Sequence, residues 1–138
     1  MSLDENVKLS DCVENKESLF RGIPDQPSFI KEDGSITSAI LKDSHGGVSV
    51  DRDANRKDSD VIAFFCKTQK NLGKDIHYAK FLKMPVLLVR QNQCDVKAAP
   101  IENINPFHAE ITQNGSGDLK RSTAKSIIKQ STVINNPL

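Results

Sequence analysis

Residues 19–52, LFRGIPDQPSFIKEDGSITSAILKDSHGGVSVDR, constrain the fold more than any other stretch of the chain. Their apolar residues come in short runs broken by turn formers, at Pro24, at Asp33-Gly34 and at Gly46-Gly47. Proline cannot donate to a sheet ladder and glycine takes positive φ without steric cost, so both residues punctuate strands. Three strand-like pieces follow, over 18–23, 36–42 and 48–52. On a period of two, Ile36, Ser38, Ile40 and Lys42 share one face of the second piece. In the third, Val48, Val50 and Arg52 alternate with Ser49 and Asp51. The stretch reads as a β-rich unit with hairpin-like connections.

The character changes after Ala54. Val61, Ile62, Phe65, Cys66 and Gln69 follow helical spacing behind Ser59 or Asp60 as N-cap, and Gly73 suits the position just past the end, so a helix is expected over 59–71. Residues 75–83 fit either a short helix capped by Asp75 or an extended piece. The continuous apolar run 85–90, bounded by Pro85 and Gln91-Asn92-Gln93, predicts a buried strand. A further strand is expected at 95–99. Residues 107–112 alternate, with Phe107, Ala109 and Ile111 inward and His108, Glu110 and Thr112 on the opposite face. After a turn at 113–118, the spacing predicts a helix that turns Leu119, Thr123, Ile127 and Ile128 to the core, and then a short extended tail. Residues 1–17 are polar and read as an irregular lead-in to one α+β domain over 18–138. That domain is expected to hold a mostly antiparallel sheet from 18–52 and 85–112, packed by two helices near 59–71 and 118–130.

With 138 residues the chain suits one domain with one core. Its apolar runs are far short of the ~20 residues of a membrane span, and the acidic start lacks the apolar segment of a secretory signal. Cys12, Cys66 and Cys94 form no Cys-x-x-Cys pair, which points away from a disulfide framework or zinc knuckle; Cys66 reads as core filler. A cytoplasmic protein is expected. The net charge of +1 conceals an uneven distribution: residues 1–60 hold thirteen acidic and eight basic side chains, residues 61–138 five and eleven. Such a split suits a basic face for an anionic partner, or attraction between two parts of one fold.

The chemistry on offer is dispersed. His108 and Glu110 stand two apart on one strand face, where a base and its orienting carboxylate can converge, or where a half-buried sheet simply shows its polar side. Ser44, His45, Gly46 and Gly47 form a loop whose N–H groups suit either an anion nest or a hairpin turn. Arg21 lies inside an apolar strand, so it must be solvated or paired: with a bound phosphate or carboxylate, or with an acid such as Asp51 or Glu110. With Ser38, these residues define a candidate site, His108, Glu110 and His45 for catalysis and Arg21, Ser38, Ser44, Gly46 and Gly47 for binding. Acid–base cleavage of a phosphodiester by His45 and His108, helped by Lys42 or Arg21, is one possibility. A divalent metal on His45, His108 and Glu110 is another, but it lacks the local spacing of such sites, and neither a metal nor a cofactor is expected. The expected partner is a protein or an anionic small molecule; nucleic acid is less well supported, because stacking aromatics are scarce.

Two resemblances rest on these residues. Arg21, Ile36-Thr37-Ser38 and His108-Ala109-Glu110 resemble, in order and type, the Arg, Ser-Thr-Ser and Glu/Gln-x-Glu motifs of ADP-ribosyltransferases, without the leading Ser and with His in place of the first acid or amide. That resemblance implies NAD use. The pattern Leu-Phe-Arg-x-Ile-Pro, Asp-Gly, Ser-Ala, Gly-x-Ser-Val-Asp and Asn-Pro-x-His-Ala-Glu-Ile, over about residues 18–112, resembles small bacterial proteins with no assigned activity. It implies a single-domain bacterial cytoplasmic protein and nothing about reaction or substrate. From the residues themselves, the function is read either as binding or interaction without catalysis or as a small enzyme acting on a phosphate-containing substrate such as a nucleotide, NAD or RNA.

Overall fold

Alternating side chains and short apolar runs build six strands among the residues that the computed structural model describes, 9–43 and 46–138. In chain order the elements are β1 (Ser18–Pro24), β2 (Val48–Arg52), α1 (Asp58–Asn71), β3 (Tyr78–Pro85), α2 (Val86–Gln91), β4 (Asp95–Ala98), β5 (His108–Thr112), α3 (Arg121–Gln130) and β6 (Thr132–Asn135). The strands form one antiparallel sheet in the order β4-β5-β2-β1-β3-β6. The fold is therefore the expected α+β domain.

The sheet is covered on both faces. Leu19, Ile23, Val50, Leu82, Met84, Ala109 and Ile111 pack against Val86 and Val89 of α2 and Ala124 and Ile127 of α3. Phe20 and Phe81, on the opposite face, pack against Val61 and Ile62 of α1, with Phe65 and Tyr78 beside them. Each such large apolar side chain contributes about 1.5–3 kcal/mol when fully buried. Phe65 meets Tyr78 and Phe81 edge to face at centroid distances of 5.0 and 5.4 Å. Gly22 makes room for this cluster, since a Cβ there would lie 2.7 Å from Tyr78 Cδ1 and 3.0 Å from Phe65 Cε2.

Two expected strands are absent. Residues 36–42 form a loop with a 3₁₀ turn at Ser38–Leu41, tied to its surroundings by single bridges, Ile30 to Ile36 and Lys42 to Asp118. Ile40 and Leu41 are adjacent and both buried in the same core cluster, which a strand with one covered face cannot achieve but a tight turn can. The run at 85–90 is also not a strand, because Pro85 ends β3 and serves as the N-cap of α2. Val86 and Val89, three apart, are buried while Leu87 is 45% exposed, which is one face of a helix. A short apolar run is compatible with either state, and the side chains facing it decided. The ambiguous segment 75–83 resolves into β3, which lies beside β1 and is lined on its other side by β6.

The strands near 18–23, 48–52, 95–99 and 107–112 and the helices near 59–71 and 118–130 are present with adjusted edges. α1 ends as expected, with Gly73 at φ +75° and its N–H on the Lys70 carbonyl. Its N-cap is Lys57, without a side-chain cap, and Ser59 and Asp60 instead lie inside the first turns. α3 starts at Arg121 and buries Ala124 and Ile127, while Thr123 bonds to Gln113. Cys94, not Cys66, is the buried cysteine.

Residues 9–17 form no helix or strand, yet they are tied down. Val13 is buried, and Arg52 grips Glu17 through two bonds, Nε to Oε1 at 2.8 Å and Nη2 to Oε2 at 2.9 Å, while its Nη1 reaches the Ser10 carbonyl. The Glu17 carboxyl is opposed by burial, but the Arg52 bond, a backbone bond and the nearby charges of Arg52 and Arg90 outweigh that and hold it below its ordinary value.

Candidate functional site

One irregularity in the sheet creates the site. β1 and β2 are paired at Leu19–Arg52 and Phe20–Asp51, after which β1 follows β3 as far as Pro24 while β2 follows β5. Where the two strands part, Arg21 bridges them: Nη1 donates to the Ser49 carbonyl at 2.9 Å, and Nε donates to the Ile40 carbonyl of the 3₁₀ turn at 3.0 Å. The expected carboxylate partners of Arg21, Asp51 or Glu110, are thus replaced by two main-chain carbonyls. Burial lowers the Arg21 pKa and Asp43 works against that; with a guanidinium this basic, the group stays charged.

The parting strands open a cleft of about 310 Å³ between the C-terminal half of α1 and the facing ends of β2 and β5. Its walls carry Arg21, Asp43, Ser49, Asp51, Asn105 and His108 from the sheet and loops, and Thr68, Gln69 and Leu72 from α1. Phe65, Tyr78 and Ile101 supply apolar surface.

The most constrained part of this wall is Asp51. It is 2% exposed and stands directly across the ladder from His108. Oδ1 accepts from Asn105 Nδ2 at 3.0 Å, whereas Oδ2 is buried with no hydrogen-bond partner among the described residues. Burial raises the Asp51 pKa, against the Asn105 bond and the charges of His108 and Arg56. Asn105 is itself held, because its Oδ1 accepts from the Phe107 N–H two residues on. Arg56 stacks 3.5 Å over the Phe107 ring and donates to the carbonyls of Asp53 and Arg52, locking the turn behind Asp51. His108 Nδ1 lies 2.7 Å from the Ala99 carbonyl. A carbonyl only accepts, so in the neutral ring the hydrogen sits on Nδ1 and Nε2 is left as an acceptor.

Of the residues singled out from the sequence, the cleft thus brings Arg21 and His108 together. Ser38 is in the 3₁₀ turn and does not line the cleft, so the three points of the ADP-ribosyltransferase pattern do not meet in it. Glu110 shares its face with His108 but lies farther along the ladder, opposite Ser49 and over Gly47, whose added Cβ would come within 2.5 Å of Glu110 Cβ. Gly46 and Gly47 do not line the cleft either. Ser44 and His45 lie outside the described residues. Among the described residues no group of three His, Cys, Asp or Glu stands close enough to hold a metal ion.

Asp51 and Asn105 were not singled out as a site. Asp51 looked like one polar position in an alternating strand, and its partner lies 54 residues away. The one local signal was Asn105 before Pro106, a dipeptide that favours a side-chain-capped turn. No protein family, curated protein or solved structure matches the chain.

Proposed function

We propose that the protein is a binding domain without catalysis, and that its ligand is a small molecule seated in the cleft between α1 and the ends of β2 and β5. The observation that carries this reading is the buried Asp51 Oδ2, a carboxylate oxygen without a partner in a cleft wall. Leaving such an atom unpaired costs about 1–3 kcal/mol or more, a cost that a ligand donor would remove. The volume of about 310 Å³ is at the small end of ligand sites, and polar groups converge on one wall of an otherwise partly apolar space. A cytoplasmic location and a bacterial source, implied by the sequence pattern, belong to the same proposal. The free thiols of Cys12, Cys66 and Cys94 support a reducing compartment.

The test is a screen of small-molecule classes, including nucleotides, NAD, amines, carboxylates and sugars, by amide chemical-shift mapping. Binding is expected to move the resonances of Thr68, Gln69, Asn105 and His108 as a group. If no class moves them, or if the shifts fall elsewhere, the reading fails.

A second reading, a small enzyme on a phosphate-containing substrate, is supported by His108, whose Nδ1 bond to Ala99 leaves Nε2 as a base at the cleft. Its expected result is slow hydrolysis of a nucleotide, NAD or short RNA that His108→Ala abolishes. Two of the five N–H groups of Arg21 are held by carbonyls and Asp43 offsets its charge, which weakens the pull on a phosphate.

A further inference from the structure

A second depression adjoins the cleft. Thr68 of α1 and Leu72, the residue just past its end, line both the cleft and this depression of about 300 Å³, which Phe64, Lys67, Asn71, Asn103 and Ile104 also line. Leu72, Ile101 and Ile104 are 46%, 39% and 38% exposed, and all three line the path formed by the two. Large aliphatic side chains so exposed along one groove are the kind of surface that marks a ligand or partner site. The two ends of the path differ in chemistry. At the inner end stands the unpartnered Asp51 Oδ2, across the ladder from His108, with Arg21 and its opposing charge Asp43 in the same wall. At the outer end Phe64, Leu72 and Ile104 offer apolar surface, with Lys67, Asn71 and Asn103 around them.

From this arrangement we infer that the ligand is an amphipathic organic cation, with a protonated amine or guanidinium on Asp51 and an apolar chain laid along Leu72, Ile101 and Ile104. The inference rests on the binding reading above and specifies its ligand. A donor-rich cation matches a site that offers acceptors, and the charge-assisted bond to a buried carboxylate is the stronger kind. Arg21 does not contradict it: its guanidinium is bonded to the Ser49 and Ile40 carbonyls and faces the Asp43 carboxylate. Carboxylates and phosphates, by contrast, would bring a negative charge against Asp51, since the two charges of opposite sign in the wall, Arg21 and Lys74, are offset in part by Asp43.

The experiment compares n-hexylamine, hexylguanidine, hexanol and hexanoate on the full chain, by calorimetry and amide chemical-shift mapping at neutral pH. The two cations are expected to bind about tenfold or more tighter than hexanol, one charge-assisted bond's worth, and to shift Thr68, Asn105 and Ile104 together. Asp51→Asn should erase the preference for the cations over hexanol. Leu72→Ser at the exposed rim, which does not threaten the core, should weaken hexylamine while leaving methylamine unchanged. Binding of hexanoate in the cleft as tightly as hexylamine would overturn the cation assignment and leave the binding reading standing. If none of the four probes shifts the cleft residues, the cation assignment is overturned, and the wider screen decides the binding reading by itself. Should Asp51→Asn not fold, Leu72→Ser and the comparison of the four probes still decide between these outcomes.

Discussion

Three side chains show how a charged residue inside an apolar strand can be settled in different ways. Arg21 is settled by carbonyls, Arg52 by a carboxylate, and Asp51 only in part. Arg21→Met should therefore be destabilising rather than neutral, by about 2–3 kcal/mol in urea unfolding, because it strands the carbonyls of Ile40 and Ser49 where the strands part. A residue present only to hold an anion would show no such loss. For the Arg52–Glu17 pair, whose side chains are 5% and 10% exposed, Arg52→Ala should cost about 3–5 kcal/mol and release residues 9–17 to rapid proteolysis. Asp51 works in the opposite direction. Its folded pKa is raised by burial above the ordinary 3.8, so the folded state holds the proton more tightly than the unfolded one. Stability associated with this residue is then highest below that value, falls as pH rises through the folded pKa, and stays low above it. Asp51→Asn keeps the shape and an oxygen for Asn105, and it should be more stable than the parent at pH 7, on the order of 1 kcal/mol, with the difference vanishing at acid pH. Equal stability of the two proteins at every pH would show that Asp51 is not under this strain.

At the level of the elements, the contrast between α1 and the run after Pro85 shows how much of the secondary structure could be read beforehand. α1 has fourteen residues, helical spacing and a glycine stop, so its signals agree. α2 has six residues of which the first four, Val86 to Val89, are a continuous apolar run, and their state depended on how they would face β4 and the core. The start of α1 has room for improvement, since Lys57 provides no side-chain oxygen to the first N–H groups and places a positive charge at the positive end of the helix dipole. Lys57→Ser should raise stability by about 0.5–1 kcal/mol in thermal unfolding. Gly22→Ala should lower it by about 1–3 kcal/mol, through the Tyr78 and Phe65 rings that a Cβ would strike. Near-UV dichroism of Tyr78 would report the displaced ring.

Over the whole molecule, the sheet is ordered so that chain-distant strands become neighbours, with β1 between β2 and β3 and the last strand on the outer edge of β3. The uneven charge of the chain is met in part inside the fold, where Lys83 of the basic part pairs with Asp58 of the acidic part at 2.9 Å, a pair exposed enough to contribute little. No helix among the described residues is long and apolar enough to cross a membrane. The edge position of β6 has a consequence for truncation. Removing residues 132–138 would leave the β3 backbone from Lys80 to Lys83 as a bare sheet edge. Hydrogen exchange of those amides should accelerate markedly and the shortened protein should self-associate; unchanged exchange would mean that β6 is dispensable. What the sequence determined by itself was local: the strands expected at 18–23, 48–52, 95–99 and 107–112, the helix expected over 59–71, and the α+β class, because alternation, helical spacing, proline and glycine act within a few residues. Tertiary structure decided what depends on distant partners. The pairing of β1 with β2 for two residues and their parting beyond, the carbonyls that hold Arg21, and the meeting of Asp51 with Asn105 and His108 all join residues far apart in the chain. No local signal carries such a contact, and the cleft exists only through them.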